Sequence, residues 1–373
     1  MNILGLYGWF GGNCIEGWVH DAGASLFKDG KHVSSISEER LSRLKHDGEY
    51  PYKSIKYTLS EGGIKDSDID IVSYVRNMHT FESRAIEVRD YLELEFPNAK
   101  ILIVDHHLSH AAASFYTSPF SESSIYTQDG GGNRSKSVPE SFNTGTYSIG
   151  YKNYGIELLL DFINGYSDTT GFFNLGQVYN NVSVAVLKRI GAYDNLEDTN
   201  HPSFLESSAG KVMGLAAYGD YRNIDIPNII RVEYDGFNFP TITSDSPLLI
   251  DSKLRAAEAI KPIRAEDLAS WIQNQYRNSV VEYFRAIKTK EKSLCMGGGC
   301  ALNVLTNRAL LDEGVFESVH VFPGANDMGL AFGGAIYAAE KLGGTAPLEN
   351  LAFLGREYTD TEIEEAIHET FKM

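Results

Sequence analysis

The chemically richest stretch is Asp105-His106-His107-Leu108-Ser109-His110, which holds three imidazoles and a carboxylate. It follows an apolar run at 101–104 and precedes Ala111-Ala112-Ala113-Ser114-Phe115-Tyr116, so a buried strand hands over to a helix. With the helix starting near His106, His106 and His110 lie one turn apart on one face, where two imidazoles can share a metal ion. The same spacing also suits a pair of capping or core histidines. The strand end, where α/β folds place ligands, favours the metal. Two further carboxylates stand at strand–helix or strand–turn junctions. Asp129 follows an expected strand at 124–128 and opens Asp129-Gly130-Gly131-Gly132, whose glycines let backbone N–H groups point at an anion. Asp327 follows a strand at 319–322.

Cationic chemistry is concentrated at 38–46, where Arg40, Arg43, Lys45 and His46 interrupt an acidic chain. They form either a solvated helix face or a clamp for an anionic intermediate. His20-Asp21 lies in a polar turn between a first strand at 3–7 and a hairpin folded about Asp29-Gly30. A strand at 293–296 runs into Gly297-Gly298-Gly299 and then a helix, which makes an anion or nucleotide seat. Close strand–helix packing is the alternative use of those glycines. Gly210-Lys211 lacks the surrounding pattern of a phosphate-binding loop.

The elements that must position these groups follow in order. Helices are expected at 53–61 and 81–95 and strands at 69–75 and 101–104, an α/β lobe. Residues 144–151 read as the return strands of a second hairpin. Residues 161–220 read as mostly helical with a polar loop near 194–202, and 237–249 as a peripheral hairpin or loop. A long amphipathic helix is expected at 265–286 and a small-residue helix at 330–342. A strand, an acidic turn and a hairpin thus occur twice, which resembles the internal duplication expected of a two-lobed actin-like ATPase fold. The expected division is a first lobe at 1–120, a second at 121–350 whose last helix packs back on the first, and a junction at 351–373.

The chain has 373 residues, 43% of them hydrophobic, enough for a large core or two lobes. No apolar run reaches membrane-spanning length, and the N-terminus enters a strand without a basic leader, so neither membrane nor signal peptide is expected. Cys14, Cys295 and Cys300 have no paired metal-site spacing and suit a reducing cytoplasm. A net charge of −17 disfavours a nucleic-acid partner and favours small or cationic substrates.

Six motifs stand in one order along the chain. They are His20-Asp21-Ala22-x-Ala24, Glu38-Glu39-Arg40…Arg43-x-Lys45-His46, Asp105-His106-His107-x-x-His110-Ala111, Gly210-Lys211-Val212-Met213-Gly214-Leu215-Ala216, Gly297-Gly298-Gly299-x-Ala301-Leu302-Asn303 and Asn326-Asp327-x-Gly329. The ordered set resembles the O-carbamoyltransferases that act on tobramycin, cephems and Nod factors, over essentially residues 1–355. Their N-terminal domain is similar to the tRNA threonylcarbamoyl transferases, which implies the actin-like fold. The resemblance implies His106, His110, Asp129 and Asp327 as ligands of iron(II), with manganese or zinc as alternatives. That metal would hold the phosphate of a carbamoyl adenylate. It implies Lys45 in contact with the adenylate, Gly130, Gly131, Gly297, Gly298, Gly299 and Asn303 as its seat, and magnesium as a companion of ATP. It also implies His20 beside the acceptor hydroxyl and Asp220 touching the acceptor, a small natural product or sugar. Carbamoyl transfer needs a base for the alcohol and positive charge at the developing oxyanion, which His20, Lys45 and the metal can supply.

Two features depart from the family. Residues 133–142, with Arg134, Lys136 and Glu140, match nothing in it. The family continues into a YrdC-like domain that makes carbamoyl adenylate from carbamoyl phosphate and ATP, and 353–359 resembles the junction into it. The chain is therefore expected to hold the transfer site and to need that domain, or a separate chain, as partner. An oligomer is compatible with the sequence. Rival readings are a tRNA threonylcarbamoyl transferase, opposed by the charge and by Lys45 and His20, and a nucleotide-binding actin-like regulatory subunit, opposed by the retained ligand set. The aromatics Tyr7, Trp9, Phe10 and Trp18 near His20 suit a cationic or sugar-like alcohol or the core.

Overall fold

The computed structural model describes residues 1–9, 19–76, 82–132, 142–164, 174–192, 202–233, 240–287, 289–346, 348, 351–352 and 357–371. Cys14, Phe10, Trp18, the 133–141 loop, most of the 194–202 loop and 353–356 lie outside the described residues.

In chain order the elements are β1 (Asn2–Tyr7), β2 (Gly23–Lys28), β3 (Lys31–Ser37), α1 (Glu38–Ser42), α2 (Tyr52–Gly62), β4 (Ile71–Val75), α3 (Glu82–Glu95), β5 (Lys100–Val104) and α4 (His106–Tyr116). There follow β6 (Glu122–Gln128), β7 (Phe142–Tyr151), β8 (Gly155–Asn164), α5 (Leu175–Arg189), α6 (Pro202–Leu215), β9 (Ile230–Glu233), β10 (Thr241–Ser244), α7 (Pro247–Ile260) and α8 (Ala265–Ile287). The remainder is β11 (Ser293–Gly297), α9 (Val304–Asp312), β12 (Ser318–Val321), α10 (Leu330–Leu342) and α11 (Asp360–Phe371).

Two five-stranded sheets carry the fold, in the orders β3-β2-β1-β4-β5 and β12-β11-β6-β7-β8. In the first, β1, β2 and β3 pair antiparallel, and β4 and β5 add on in parallel. In the second, β6, β7 and β8 pair antiparallel, and β11 and β12 add on in parallel. The two sheets are therefore the same unit used twice. The β2–β3 turn sets Asp29 at φ 51° and Gly30 at φ 75°, the positive angles a tight Asp-Gly hairpin requires. β1 sits centrally, with Ile3, Leu4 and Leu6 fully buried, which is why it reads as an unbroken apolar run.

Two expectations are corrected. The second hairpin returns in β8 rather than within 144–151, so the segment from Asp161 begins as strand and turns helical only at α5. The expected peripheral piece at 237–249 divides into β10, paired with β9, and the first residues of α7.

Backbone contact holds the site together. Ser109 of α4 donates its hydroxyl to the Leu330 carbonyl of α10 at 2.8 Å, and Ser73 of β4 donates to the Gly334 carbonyl at 2.7 Å. A Cβ on Gly333 would lie 2.2 Å from the Ser109 carbonyl oxygen, and one on Gly5 2.0 Å from that of Ala331. Small residues thus let α10 lie directly on α4 and β1, where Phe332, Ala335 and Ile336 join the core of Ile3, Phe27 and Ile71. No helix among the described residues is long and apolar enough to cross a membrane.

Gly333→Ala is expected to lower stability by about 1–3 kcal/mol, because neither backbone can give way. Chemical denaturation measures it, and an unchanged midpoint would contradict the close α4–α10 contact.

Candidate metal centre and adjoining cavity

α4 begins where β5 ends, with Asp105 at its N-cap, so His106 and His110 face one side a turn apart. Their Nε2 atoms approach to 3.2 Å. Asp129, at the end of β6, brings Oδ2 to 3.2 Å from His110 Nε2. Asp327, in the turn before α10, places Oδ1 3.5 Å from both imidazole Nε2 atoms. One ligand atom from each of the four lies within 4.8 Å of all the others. The fold therefore gathers these side chains from both sheets at one point.

Neighbours orient the carboxylates. Tyr7, the last residue of β1, donates its hydroxyl to Asp327 Oδ2 at 2.8 Å. The Gly299 N–H donates to Asp129 Oδ2 at 2.9 Å, and that of Gly130 to Asp129 Oδ1 at 2.6 Å. Burial works to lower the His110 pKa, but its hydrogen bonds to Asp129 and Asp327 outweigh burial and raise it to about 9. Burial likewise works to raise Asp129, and His110 holds it well below the usual carboxylate range. Burial dominates at His106, whose pKa is lowered. His107, the third histidine of the stretch, turns away, with Nε2 3.2 Å from the Asn143 carbonyl. Asp105 faces Arg76 at 3.5 Å and does not join the four.

A second group lies alongside. Asp21 is buried, at φ 61°, and its carboxylate accepts from two imidazoles. His20 Nδ1 lies 3.0 Å from Oδ2 and His46 Nδ1 2.9 Å from Oδ1. Burial opposes its ionisation, and the two histidines more than offset that, holding Asp21 below the usual range. His20 Nε2 stands 3.9 Å from Asp327 Oδ2, so this pair adjoins the four-residue cluster. Lys45 reaches Glu39 Oε2 at 3.0 Å, and that carboxylate also accepts from the His46 N–H at 2.9 Å.

A cavity of about 200 Å³ opens beside the cluster. It is lined by Asp129, Gly130, Gly299, Asn326 and His46 and by the aromatic and apolar Tyr179, Tyr276, Met213 and Leu302. Asn303 lines it too, locked by paired amide hydrogen bonds to Gln273, each 3.0 Å. The glycine triplet divides its duties. A Cβ on Gly297 would lie 2.8 Å from the His110 carbonyl and one on Gly298 2.3 Å from that of Gln128, so packing demands both. Gly299 faces Asp129 and the cavity. Gly131, Lys45, His20 and Asp220 are not among the lining residues. Asp220 instead engages the guanidinium of Arg222 at the surface.

The carbamoyltransferase N-terminus model matches residues 13–94 and 79–336. The chain belongs to this family. Within it, nodulation protein NolNO of Sinorhizobium fredii is 29% identical over 361 residues, covering 90% of this chain and 48% of that protein. The uncharacterized protein sll1178 of Synechocystis is 27% identical over 407 residues, covering 94% of this chain and 61% of that protein. The chain thus spans about half the length of the first relative and about three fifths of the second. Among solved structures, component A of (R)-2-hydroxyglutaryl-CoA dehydratase from Acidaminococcus fermentans aligns with a TM-score of 0.51 at 14% identity, covering 91% of this chain and 98% of that one. That likeness shows the fold, which is the actin-like ATPase fold.

The sequence left Tyr179 and Tyr276 unassigned and read Tyr7 only as an acceptor-side or core aromatic. Tyr7 ends an apolar strand, and a hydroxyl buried there needs a partner. Tyr179 and Tyr276 sit inside helices, where their ring positions carry no signal of a cavity wall.

In the metal-free chain His110 is expected to titrate near pH 9, measured by NMR of its ring proton. Because its folded pKa lies above the unfolded value, its contribution to stability is full below about pH 6.5 and is lost as pH rises through about 9. A His110 resonance that titrates at or below 6.5 would contradict the pairing with Asp129. Tyr7→Phe, which strips a buried donor from Asp327, should cost about 1–3 kcal/mol in a denaturation experiment.

Proposed function

We propose that the chain performs the transfer step of an O-carbamoylation, moving a carbamoyl group from carbamoyl adenylate to a hydroxyl of a small acceptor. The observation that carries this reading is the convergence of His106, His110, Asp129 and Asp327 beside a cavity lined by both polar and aromatic residues. Membership of the carbamoyltransferase N-terminus family supports it.

The four residues fit a metal. Ligands bonded at about 2.0–2.2 Å lie roughly 3–3.5 Å from their neighbours around the ion, and the donor atoms here are 3.2 to 3.5 Å apart along their closest contacts. Two imidazoles and two carboxylates suit iron(II) first, then manganese or zinc. A bound ion would supply Lewis-acid charge to the adenylate phosphate.

The chain's own groups account for the rest. Tyr179, Tyr276, Met213 and Leu302 of the cavity lining seat the nucleoside, and Gly130 and Gly299 leave room for the phosphate. Asp21 accepts from His20 Nδ1, which leaves Nε2 as the ring nitrogen to act as base at the acceptor. As the acceptor oxygen bonds to the carbamoyl carbon, its proton passes to His20 Nε2. The bond from that carbon to the phosphate oxygen breaks, and AMP leaves. Lys45 offsets the charge of the anion, exchanging its contact with Glu39 for the ligand. The adenylate itself would come from carbamoyl phosphate and ATP on a YrdC-like domain or chain, with magnesium accompanying ATP.

Elemental analysis of the purified chain is expected to find a stoichiometric transition metal that His110→Ala removes together with transfer from supplied carbamoyl adenylate. His20→Ala should keep the metal and lower transfer by about 10²–10⁴-fold. Absence of a transition metal from every preparation would remove this mechanism and leave a nucleotide-binding actin-like subunit. Metal retained in His110→Ala would overturn the ligand assignment.

A further inference from the structure

Asp21 holds two imidazoles, and they face different places. His20 Nε2 looks toward Asp327 at 3.9 Å, whereas His46 lines the cavity together with Asp129, Gly130, Gly299 and Asn326. The His46 side chain is 9% exposed, and its Nε2 is a buried atom with no hydrogen-bond partner among the described residues. An unpartnered buried polar atom costs about 1–3 kcal/mol, so one kept in a residue that lines a cavity points to a ligand that satisfies it.

Its chemistry narrows the ligand. Nδ1 of His46 lies 2.9 Å from Asp21 Oδ1 and must donate there, since a carboxylate only accepts. A ring that carries one proton thereby holds it on Nδ1, and its Nε2 presents a lone pair. The backbone is fixed as well: His46 is held at φ 56° and its N–H donates to the buried Glu39 carboxylate at 2.9 Å. A fixed acceptor matches an N–H and offers nothing to a phosphate oxygen, which only accepts. With the nucleoside on Tyr179 and Tyr276 and the phosphate at Gly130 and Gly299, as proposed above, the acyl group of a bound adenylate is left to His46, which shares that lining. A carbamoyl group differs from an acetyl group of nearly the same shape by carrying N–H donors.

We propose that His46, positioned by Asp21, accepts a hydrogen bond from the carbamoyl NH2 through Nε2 and so selects carbamoyl over acyl adenylates. This rests on the proposed transfer function and deepens it. The fold supplies two oriented imidazoles because two hydrogen-bearing groups must be read: the acceptor hydroxyl, by His20, and the carbamoyl amide, by His46.

The test uses two stable adenylate isosteres, the N-carbamoyl and N-acetyl derivatives of 5′-O-sulfamoyladenosine, which differ only as NH2 against CH3. Their affinities for the purified chain are measured by calorimetry. The wild-type chain is expected to bind the carbamoyl compound about tenfold more tightly. His46→Asn keeps an amide N–H near the Nδ1 position for Asp21 and removes the Nε2 lone pair. It should abolish the preference by weakening the carbamoyl compound alone. His46→Gln, whose amide oxygen reaches the Nε2 position, should keep part of the preference, and this restoration excludes a merely structural role. Equal wild-type affinities, or a His46→Asn chain that weakens both compounds alike or keeps the ratio, would overturn the role of His46 while leaving the transfer function standing. Failure of the wild-type chain to bind either isostere would overturn the adenylate reading of the cavity, and this proposal with it.

Discussion

Two buried imidazoles and two carboxylates packed donor to acceptor are the constraint on which the structure depends. None of these groups is stable in an apolar interior alone, and together they offset one another's desolvation. The offset works only if a strand end of each sheet, a helix start and a turn meet within about one ligand diameter. Asp129 comes from the second sheet, His106 and His110 from the helix after the first, and Asp327 from the turn that feeds α10 back onto the first. Any slip between the two halves would separate Asp129 from His110 and leave both uncompensated.

The glycines at the contact answer that constraint. Gly297 and Gly298 let β11 and the following turn touch α4 and the end of β6, and Gly333 lets α10 touch α4. The same packing that fixes the cluster also walls the cavity, since Gly299 is shared by both. Asp21 extends the design outward. Its two hydrogen bonds align one imidazole toward the cluster and the other toward the cavity, so a single carboxylate sets the orientation of both. Its left-handed backbone is the local cost of pointing both oxygens inward.

Legibility in the sequence followed the range of the interactions. His106 and His110 were readable because helical periodicity is local, and the Asp-Gly hairpin because its turn chemistry is local. β8 escaped because it is an edge strand: Leu158 is half exposed, so its apolar residues do not alternate cleanly, and only Asn153-Tyr154-Gly155 marks the turn before it. His107 looked equivalent to its neighbours, yet one position along a helix swings a side chain by about 100°, which turns it to the Asn143 carbonyl. Lys45 and His46 read as one basic cluster. In the fold Glu39 takes the first and Asp21 the second, giving a surface ion pair and a buried, oriented ring.

By itself the sequence determined the repeated order of strands and helices, the placement of acids and glycines at strand ends, and the ordered motifs of a carbamoyltransferase N-terminus. Each follows from patterns a few residues long or from their order along the chain. Only the tertiary structure decided which carboxylates meet His106 and His110, that Tyr7 reaches Asp327, and that Asp21 serves His46 as well as its neighbour His20. Those contacts join residues up to 320 positions apart, Tyr7 with Asp327 the farthest of them. Nothing in the residues near either partner specifies such a distance. It is set by the stacking of two sheets and by small residues that let their helices touch.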